Sequence, residues 1–168
     1  TPNVPSEKMI SKELEEYDLA DFISVPSEYV KESFVKYGIK ENKIIKVPYG
    51  VDLQEFSLTK SEKKKDGKFR IISTGSISIR KGSHYLLEAF NNLKLPNSEL
   101  IFIGNMSDDF KQIEKKYSNI KNIKFIKKQN QEKLKFFYND ADLFILCSIE
   151  EGLAMVQAQA MACGLPVI

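Results

Sequence analysis

Short apolar runs alternate with longer segments whose apolar residues recur every three to four positions. Apolar runs predict buried strands, and the longer period predicts amphipathic helices. The predicted strands are DFISVPS, KIIKVPYGVD, FRIISTGS, ELIFIG, NIKFIK and LFILCS. The predicted helices cover residues 8–20, a segment from Ser27 to Gly38, residues 83–93 and 108–117, the segment QEKLKFFYNDA, and a last helix that opens at Gly152. The chain therefore alternates between the two element types.

This alternation predicts an α/β fold built from βαβ units. The predicted strands are rich in apolar residues, which is typical of parallel strands that are covered on both faces. We therefore expect a doubly wound, right-handed parallel sheet, whose ligands bind at the carboxyl ends of the strands. Candidate residues fall at such ends, since Gly75, Gly104, Ser148 and Glu151 each follow a predicted strand.

The last segment, EEGLAMVQAQAMACGLPVI, is apolar on all sides and predicts a buried helix. Glu151 and Gln159 would lie roughly 80° apart around its axis and about 12 Å apart along it, so that both reach one extended ligand. Its first turn, at Gly152, Leu153 and Ala154, would offer free N–H groups and a positive dipole to a phosphate. A structural role stays open, in which Glu151 only caps the helix and Gln159 is an ordinary core amide.

A second cluster lies in GSISIRKGSHYLLEAF, where Arg80 and Lys81 precede Gly82 and a predicted helix. A guanidinium grips phosphate oxygens in pairs, and an ammonium adds a point charge that stabilises a departing diphosphate. Such cations are more often solvated surface residues. The two cations follow the first strand of the sheet whose later loop carries Glu151, and therefore they can face the same ligand.

Composition narrows the class of protein. The chain has 168 residues, of which 42% are hydrophobic, enough for a folded core. Its 25 basic and 23 acidic residues leave a net charge of +2, which favours neither nucleic acid nor an acidic partner. No apolar run reaches the roughly 18 residues of a membrane span. Cys147 and Cys163 lack metal-ligand spacing, so we expect two buried thiols and a cytoplasmic location.

The last segment also resembles the donor-site motif of retaining GT-B glycosyltransferases, in group 1 of the large family four. There, two Glu flank seven residues before a sequence like AMACGLPVI. Glu151 matches the first acid, and Gln159 stands where the second, usually Glu, holds the ribose of the nucleotide. The family also binds the donor diphosphate through a basic pair before Gly, which Arg80 and Lys81 match. Ser76 stands where many members carry Arg.

The resemblance extends to ADFISVPSEYVKESFVKYGIKENKIIKVPYGVDLQEF, which is similar to the end of the family's acceptor-binding domain. It implies a remnant of that domain at residues 1–52, a crossover linker at residues 53–67, and a nucleotide-sugar donor domain at residues 68–168 that is incomplete at its C-terminus. The histidine of the acceptor domain has no counterpart. We expect His84 to be a solvated residue at a helix start.

The resemblance implies transfer of a sugar from a nucleoside-diphosphate sugar to an acceptor hydroxyl, with retained anomeric configuration and an oxocarbenium-like transition state. Glu151, Arg80 and Lys81 are the expected catalytic residues, and residues 125–128 with Ser148 are expected to line the base pocket. No metal or cofactor is implied besides the nucleotide sugar. The acceptor would be a sugar or a lipid-linked molecule, and the fragment alone is expected to be inactive. The full predicted donor site consists of Gly75, Ser76, Arg80, Lys81, Ser148, Glu151, Gly152, Leu153, Ala154 and Gln159.

Other function classes fit parts of the same pattern. A nucleotide-sugar epimerase of the same fold would share the phosphate and ribose contacts. A non-catalytic binding module would use a basic face on a partner or on the inner face of a membrane, formed by Lys111, Lys115, Lys116, Lys121 and Lys124. A dinucleotide oxidoreductase is disfavoured because GxGxxG is absent after the first strand of the donor domain. The sugar, the base and the acceptor are left open.

Overall fold

The backbone forms two compact units, Thr1–Tyr49 and Gly50–Ile168. The structure is a computed structural model that describes residues 5–59 and 66–168. Within these residues, no helix is both long and apolar enough to cross a membrane.

The first unit is a small α/β layer around two parallel strands. Its elements are α1 (Glu7–Leu19), β1 (Ile23–Val25), α2 (Glu28–Lys36), a 3-10 turn (Glu41–Lys43) and β2 (Ile44–Lys46). Helix α2 begins where the Ser27 hydroxyl accepts a hydrogen bond from the Val30 N–H at 3.2 Å, as the sequence predicts for an N-cap. The hydrophobic core of this unit is small. It consists of Ile23, Val25 and Ile44, with partly buried side chains around them.

The second unit contains one sheet of four parallel strands in the order β5-β4-β3-β6. Its elements are β3 (Phe69–Thr74), α3 (Ser83–Leu93), β4 (Ser98–Ile103), α4 (Lys111–Tyr117), β5 (Ile123–Ile126), α5 (Gln131–Asp140), β6 (Leu143–Phe144) and α6 (Met155–Ala162). The predicted α/β class with parallel strands is therefore confirmed.

Helices cover both faces of this sheet. Ile71 of β3 packs in one cluster with Leu87 of α3, and the next residue, Ile72, packs on the opposite side with Tyr138 of α5 and Ala160 of α6. Every residue of β4 is buried. Continuous apolar strands arise here because successive side chains of a strand enter two different cores.

The strand order reverses next to β3. The chain first adds β4 and then β5 on one side of β3, and afterwards returns to add β6 on the other side. The loops after β3 and β6 thus begin at neighbouring carboxyl ends. In open α/β sheets, this reversal is where ligands bind.

Helix α6 differs from its prediction. It begins at Met155 and not at Gly152, because Gly152 lies in a bend and Ala154 is extended (φ −76°, ψ 106°). The helix is also only half-buried, since Ala160 is its single buried residue and Met161 is 64% exposed. The prediction of burial on all sides was therefore wrong. One face of α6 meets the core through Ala160, and another face, which carries Met161, is accessible to solvent.

The predicted linker at residues 53–67 is packed on the second unit in its first part. Phe56 is 1% exposed within the core. The Thr59 N–H donates to Asn139 Oδ1 at 2.7 Å, and Asn139 Nδ2 donates to the Ser57 carbonyl at 3.1 Å. The central part of the predicted linker, residues 60–65, lies outside the described residues. At least residues 56–59 are thus part of the folded unit.

Candidate functional site

Two loops abut at the reversal of the strand order. The basic loop (residues 75–82) follows β3, and the acidic loop (residues 147–154) follows β6. The Ile149 N–H donates to the Arg80 carbonyl at 3.0 Å. Gly82 has φ +64°, and a Cβ there would lie 1.8 Å from the Cys147 carbonyl oxygen. Only glycine therefore allows this approach, which brings the two predicted clusters of charge together.

An ion pair joins the two loops. Lys81 Nζ contacts Glu151 Oε2, and the Ser148 hydroxyl donates to the same oxygen at 3.1 Å. The side chains of Lys81 and Glu151 are 18% and 25% exposed. The hydrogen bond from Lys81 is the largest cause that lowers the pKa of Glu151, and partial burial opposes it. Glu151 is therefore an ionised acceptor at neutral pH.

Arg80 lies beside this ion pair and is exposed. Its Nη1 approaches the Glu150 carbonyl at 3.5 Å. Helix α3 begins directly after the two cations, at the left-handed Gly82, and has no side-chain cap. Two cations thus lie next to the positive end of a helix dipole, and this arrangement suits an anionic ligand.

A pocket of about 350 Å³ lies next to the basic loop, at the carboxyl ends of β3 and β4. Gly75 and Gly104 approach closely there, since a Cβ on Gly104 would lie 1.6 Å from the Gly75 carbonyl oxygen. The remaining lining residues include Ser76 and Gln159. Three predicted donor-site residues, Gly75, Ser76 and Gln159, therefore line one cavity.

A second, more open pocket of about 770 Å³ adjoins the first through Gly104, Asn105 and Lys128. Its lining includes residues 125–128, the segment predicted to face a nucleotide base. Ser148, predicted to join them, instead donates its hydrogen bond to Glu151. The base-pocket role of residues 125–128 stays a prediction.

The predicted phosphate site at the start of the last helix has a different geometry. Gly152 and Leu153 are exposed and precede α6, whose first residue is Met155. The free N–H groups of a first helical turn therefore begin after Ala154. Glu151 also lies in the acidic loop and not on the helix, so the helical spacing expected between Glu151 and Gln159 does not apply.

His84 is not the solvated residue that the sequence suggested. It is half-buried, its ring lies 4.0 Å from that of Tyr85, and its Nδ1 is buried without a hydrogen-bond partner among the described residues. The first turn of α3 therefore packs closely enough to shield part of this side chain from water, including Nδ1. Cys163 is buried as expected, whereas Cys147 is only partly buried.

The structure adds two residues to the first pocket that the sequence did not predict, Thr74 in its wall and Tyr138 behind it. The Tyr138 hydroxyl lies 2.7 Å from Thr74 Oγ1 and donates to Gln159 Oε1 at 3.4 Å. Thr74 ends β3, a position the sequence could have flagged. Tyr138 sits inside α5, where helical periodicity marks it only as a core residue. Across residues 5–59 and 66–168, no three metal-ligating side chains come together.

Comparison with known proteins identifies the family. Residues 55–168, more than half of the chain, match the family described as "Glycosyl transferases group 1".

The chain belongs to this family of glycosyltransferases.

An uncharacterized glycosyltransferase of Methanocaldococcus jannaschii, MJ1607, is 25% identical over an alignment 168 residues long. The alignment covers 92% of this chain and 43% of that protein. The chain thus spans less than half the length of this curated relative.

Solved structures agree on the fold. Anabaena Alr3699/HepE, crystallised with UDP and glucose, has a TM-score of 0.82 at 19% identity, covering 99% of this chain and 49% of its own. The pneumococcal O-GlcNAc transferase GtfA, crystallised with UDP and GlcNAc, has a TM-score of 0.70 at 22% identity, covering 99% and 34%. The predicted membership of a GT-B glycosyltransferase family, with a Rossmann-like domain, is confirmed.

Proposed function

We propose that the chain carries the donor site of a glycosyltransferase that moves a sugar from a nucleoside-diphosphate sugar to an acceptor hydroxyl with retained configuration. One observation carries the proposal. Lys81 and Glu151, from separate loops, form an ion pair beside Arg80 at the reversal of the strand order. The basic loop that carries Lys81 also lines the 350 Å³ pocket, through Gly75 and Ser76.

The charges of this site match the reaction. When the bond between the sugar and the diphosphate breaks, negative charge develops on the diphosphate and positive charge on the sugar ring. Arg80 and Lys81 stabilise the leaving diphosphate. Lys81 must then exchange Glu151 for a phosphate oxygen, which releases the carboxylate to orient the hydroxyls of the sugar. Gln159 and residues 125–128 bind the ribose and the base.

The comparisons support a nucleotide-sugar donor. The two solved structures contain UDP together with glucose or GlcNAc. The acceptor, a sugar or a lipid-linked molecule, is part of the proposal, and so is the retained configuration. A cytoplasmic location with peripheral membrane contact also stays a prediction. Two lysines of the suggested basic face are already paired, since Lys111 contacts Asp108 and Lys124 contacts Glu99, each at 2.6 Å.

Calorimetric titration with UDP, GDP, ADP and their glucose conjugates tests the donor site. We expect one nucleotide to bind, and Arg80→Ala or Lys81→Ala to weaken its binding roughly 10-fold or more, because charge-assisted hydrogen bonds to phosphate are lost. Lys115→Ala, which removes an exposed lysine of α4, is the matched control and should change nothing. Unchanged affinity in the Arg80 and Lys81 variants would exclude the phosphate role.

The type of reaction needs a separate measurement on the intact enzyme. A transferase releases nucleoside diphosphate only when an acceptor is present, whereas an epimerase converts the sugar nucleotide without any acceptor. The anomeric configuration of the product, read from its NMR coupling constant, decides between retention and inversion.

A further inference from the structure

Three hydrogen-bonded polar groups, Thr74, Tyr138 and Gln159, lie in and behind the wall of the 350 Å³ pocket. Thr74 Oγ1 and Tyr138 Oη are 2.7 Å apart, and Tyr138 Oη donates to Gln159 Oε1 at 3.4 Å. Thr74 is 5% exposed and Tyr138 is fully buried, while Thr74 and Gln159 both line the pocket. The two ends of this series thus face the space that a ligand would occupy, and the buried Tyr138 connects them.

The direction of these hydrogen bonds follows from the number of protons. A phenol has one proton, and since Tyr138 donates it to Gln159, Tyr138 can only accept from the Thr74 hydroxyl. Burial raises the pKa of Tyr138 to about 12, so the phenol keeps that proton at neutral pH. The Gln159 carbonyl oxygen is therefore occupied from behind.

The surrounding rings hold Tyr138 in place. Its ring lies 6.1 Å from that of Phe56 and 6.1 Å from that of Phe144, both in tilted or edge-to-face arrangements. Phe56 and Phe144 are 1% and 0% exposed. A ring packed in this way cannot swing aside without opening the core, so the phenolic oxygen stays between Thr74 Oγ1 and Gln159 Oε1.

We propose that Tyr138, supported by Thr74, is a positioning residue that fixes the Gln159 amide with its Nε2 toward the pocket. The Gln159 amide then donates hydrogen bonds to a hydroxyl oxygen of the ribose. A carboxylate at position 159 would instead accept hydrogen bonds from that hydroxyl. This inference rests on the proposed function. Within that site, it assigns the amide as the donor in the contact between Gln159 and the ribose.

A double-mutant cycle tests the inference. The probes are UDP, GDP and ADP and the 2′,3′-dideoxy form of each, titrated by calorimetry into the wild-type chain, Tyr138→Phe, Gln159→Ala and the double variant. We expect Tyr138→Phe to weaken binding of the ribonucleotide roughly 5-fold, the effect of one hydrogen bond. It should cause no further loss when Gln159 is Ala, and no loss for the dideoxy nucleotide, which lacks the hydroxyls that Gln159 contacts.

Thr74 supplies a second pair of variants, which are used if circular dichroism shows that Tyr138→Phe is unfolded. Thr74→Val removes the supporting donor and should weaken ribonucleotide binding, while Thr74→Ser keeps the donor and should retain it. Equal losses for the ribonucleotide and the dideoxy nucleotide, or additive losses in the double variant, would overturn the positioning role. A wild-type chain that binds none of the nucleotides would overturn the proposed function as well, and this outcome is distinct from the other two.

Discussion

At the residue scale, the pKa of Glu151 reports on its ion pair. Lys81 lowers this pKa, so the ion pair contributes its full stabilisation at pH values above the usual pKa of a carboxyl group. This contribution is lost as the pH falls through the lowered pKa. We predict that Lys81→Ala raises the pKa of Glu151, as followed by carbon NMR of its carboxyl group during an acid titration. Lys111→Ala removes a lysine that pairs elsewhere and serves as the control. An unchanged pKa in Lys81→Ala would mean that the two groups are not coupled in solution.

The candidate site was partly predictable at this scale. That Arg80, Lys81 and Glu151 meet follows from their places after strands of one parallel sheet, because the carboxyl ends of such strands share an edge. The hydrogen bonds of Tyr138 with Thr74 and Gln159 do not follow. They depend on how a helix rotates against the sheet, and a buried tyrosine gives the same helical pattern whether or not its hydroxyl serves a site.

At the scale of elements, Gly82 determines how closely the basic loop approaches the acidic loop. We predict that Gly82→Ala lowers the free energy of unfolding by about 2 kcal/mol or more, because alanine is strained at φ +64° and its Cβ would meet the Cys147 carbonyl. Urea denaturation measures the change. Gly50→Ala is the control, since a Cβ at Gly50 meets no atom within 4 Å. Equal stability of the two variants would contradict the close approach.

The boundaries of the elements show where local sequence is sufficient. Helix α3 has the predicted bounds, Ser83–Leu93, because Gly82 and the apolar period mark its start clearly. Helix α6 begins later than predicted, since Gly152 lies in a bend and Ala154 is extended. Glycine is a poor helix former, and the contacts of Glu151 with Lys81 and Ser148 hold the preceding residue in the loop.

At the scale of the whole molecule, alternation of the elements predicted a parallel α/β sheet, but not the order β5-β4-β3-β6. All the strands of this sheet are rich in apolar residues, so pattern alone does not distinguish a central strand from an edge strand. The order depends on which helices cover which face. That choice is made by side-chain packing between residues distant in sequence, such as Ile72 with Tyr138 and Ala160.

The two units should differ in stability, because their cores differ in size. The first unit buries three apolar side chains in its core, and its strands have three residues each. The second buries two larger clusters on opposite faces of one sheet. We predict that the amides of β1 and β2 exchange with deuterium well before those of β3 and β4, as measured by mass spectrometry of peptic peptides, with a denatured sample as the reference for intrinsic exchange. Equal protection of all four strands would instead show that the chain opens as one cooperative body, with the small core stabilised by more than its own side chains.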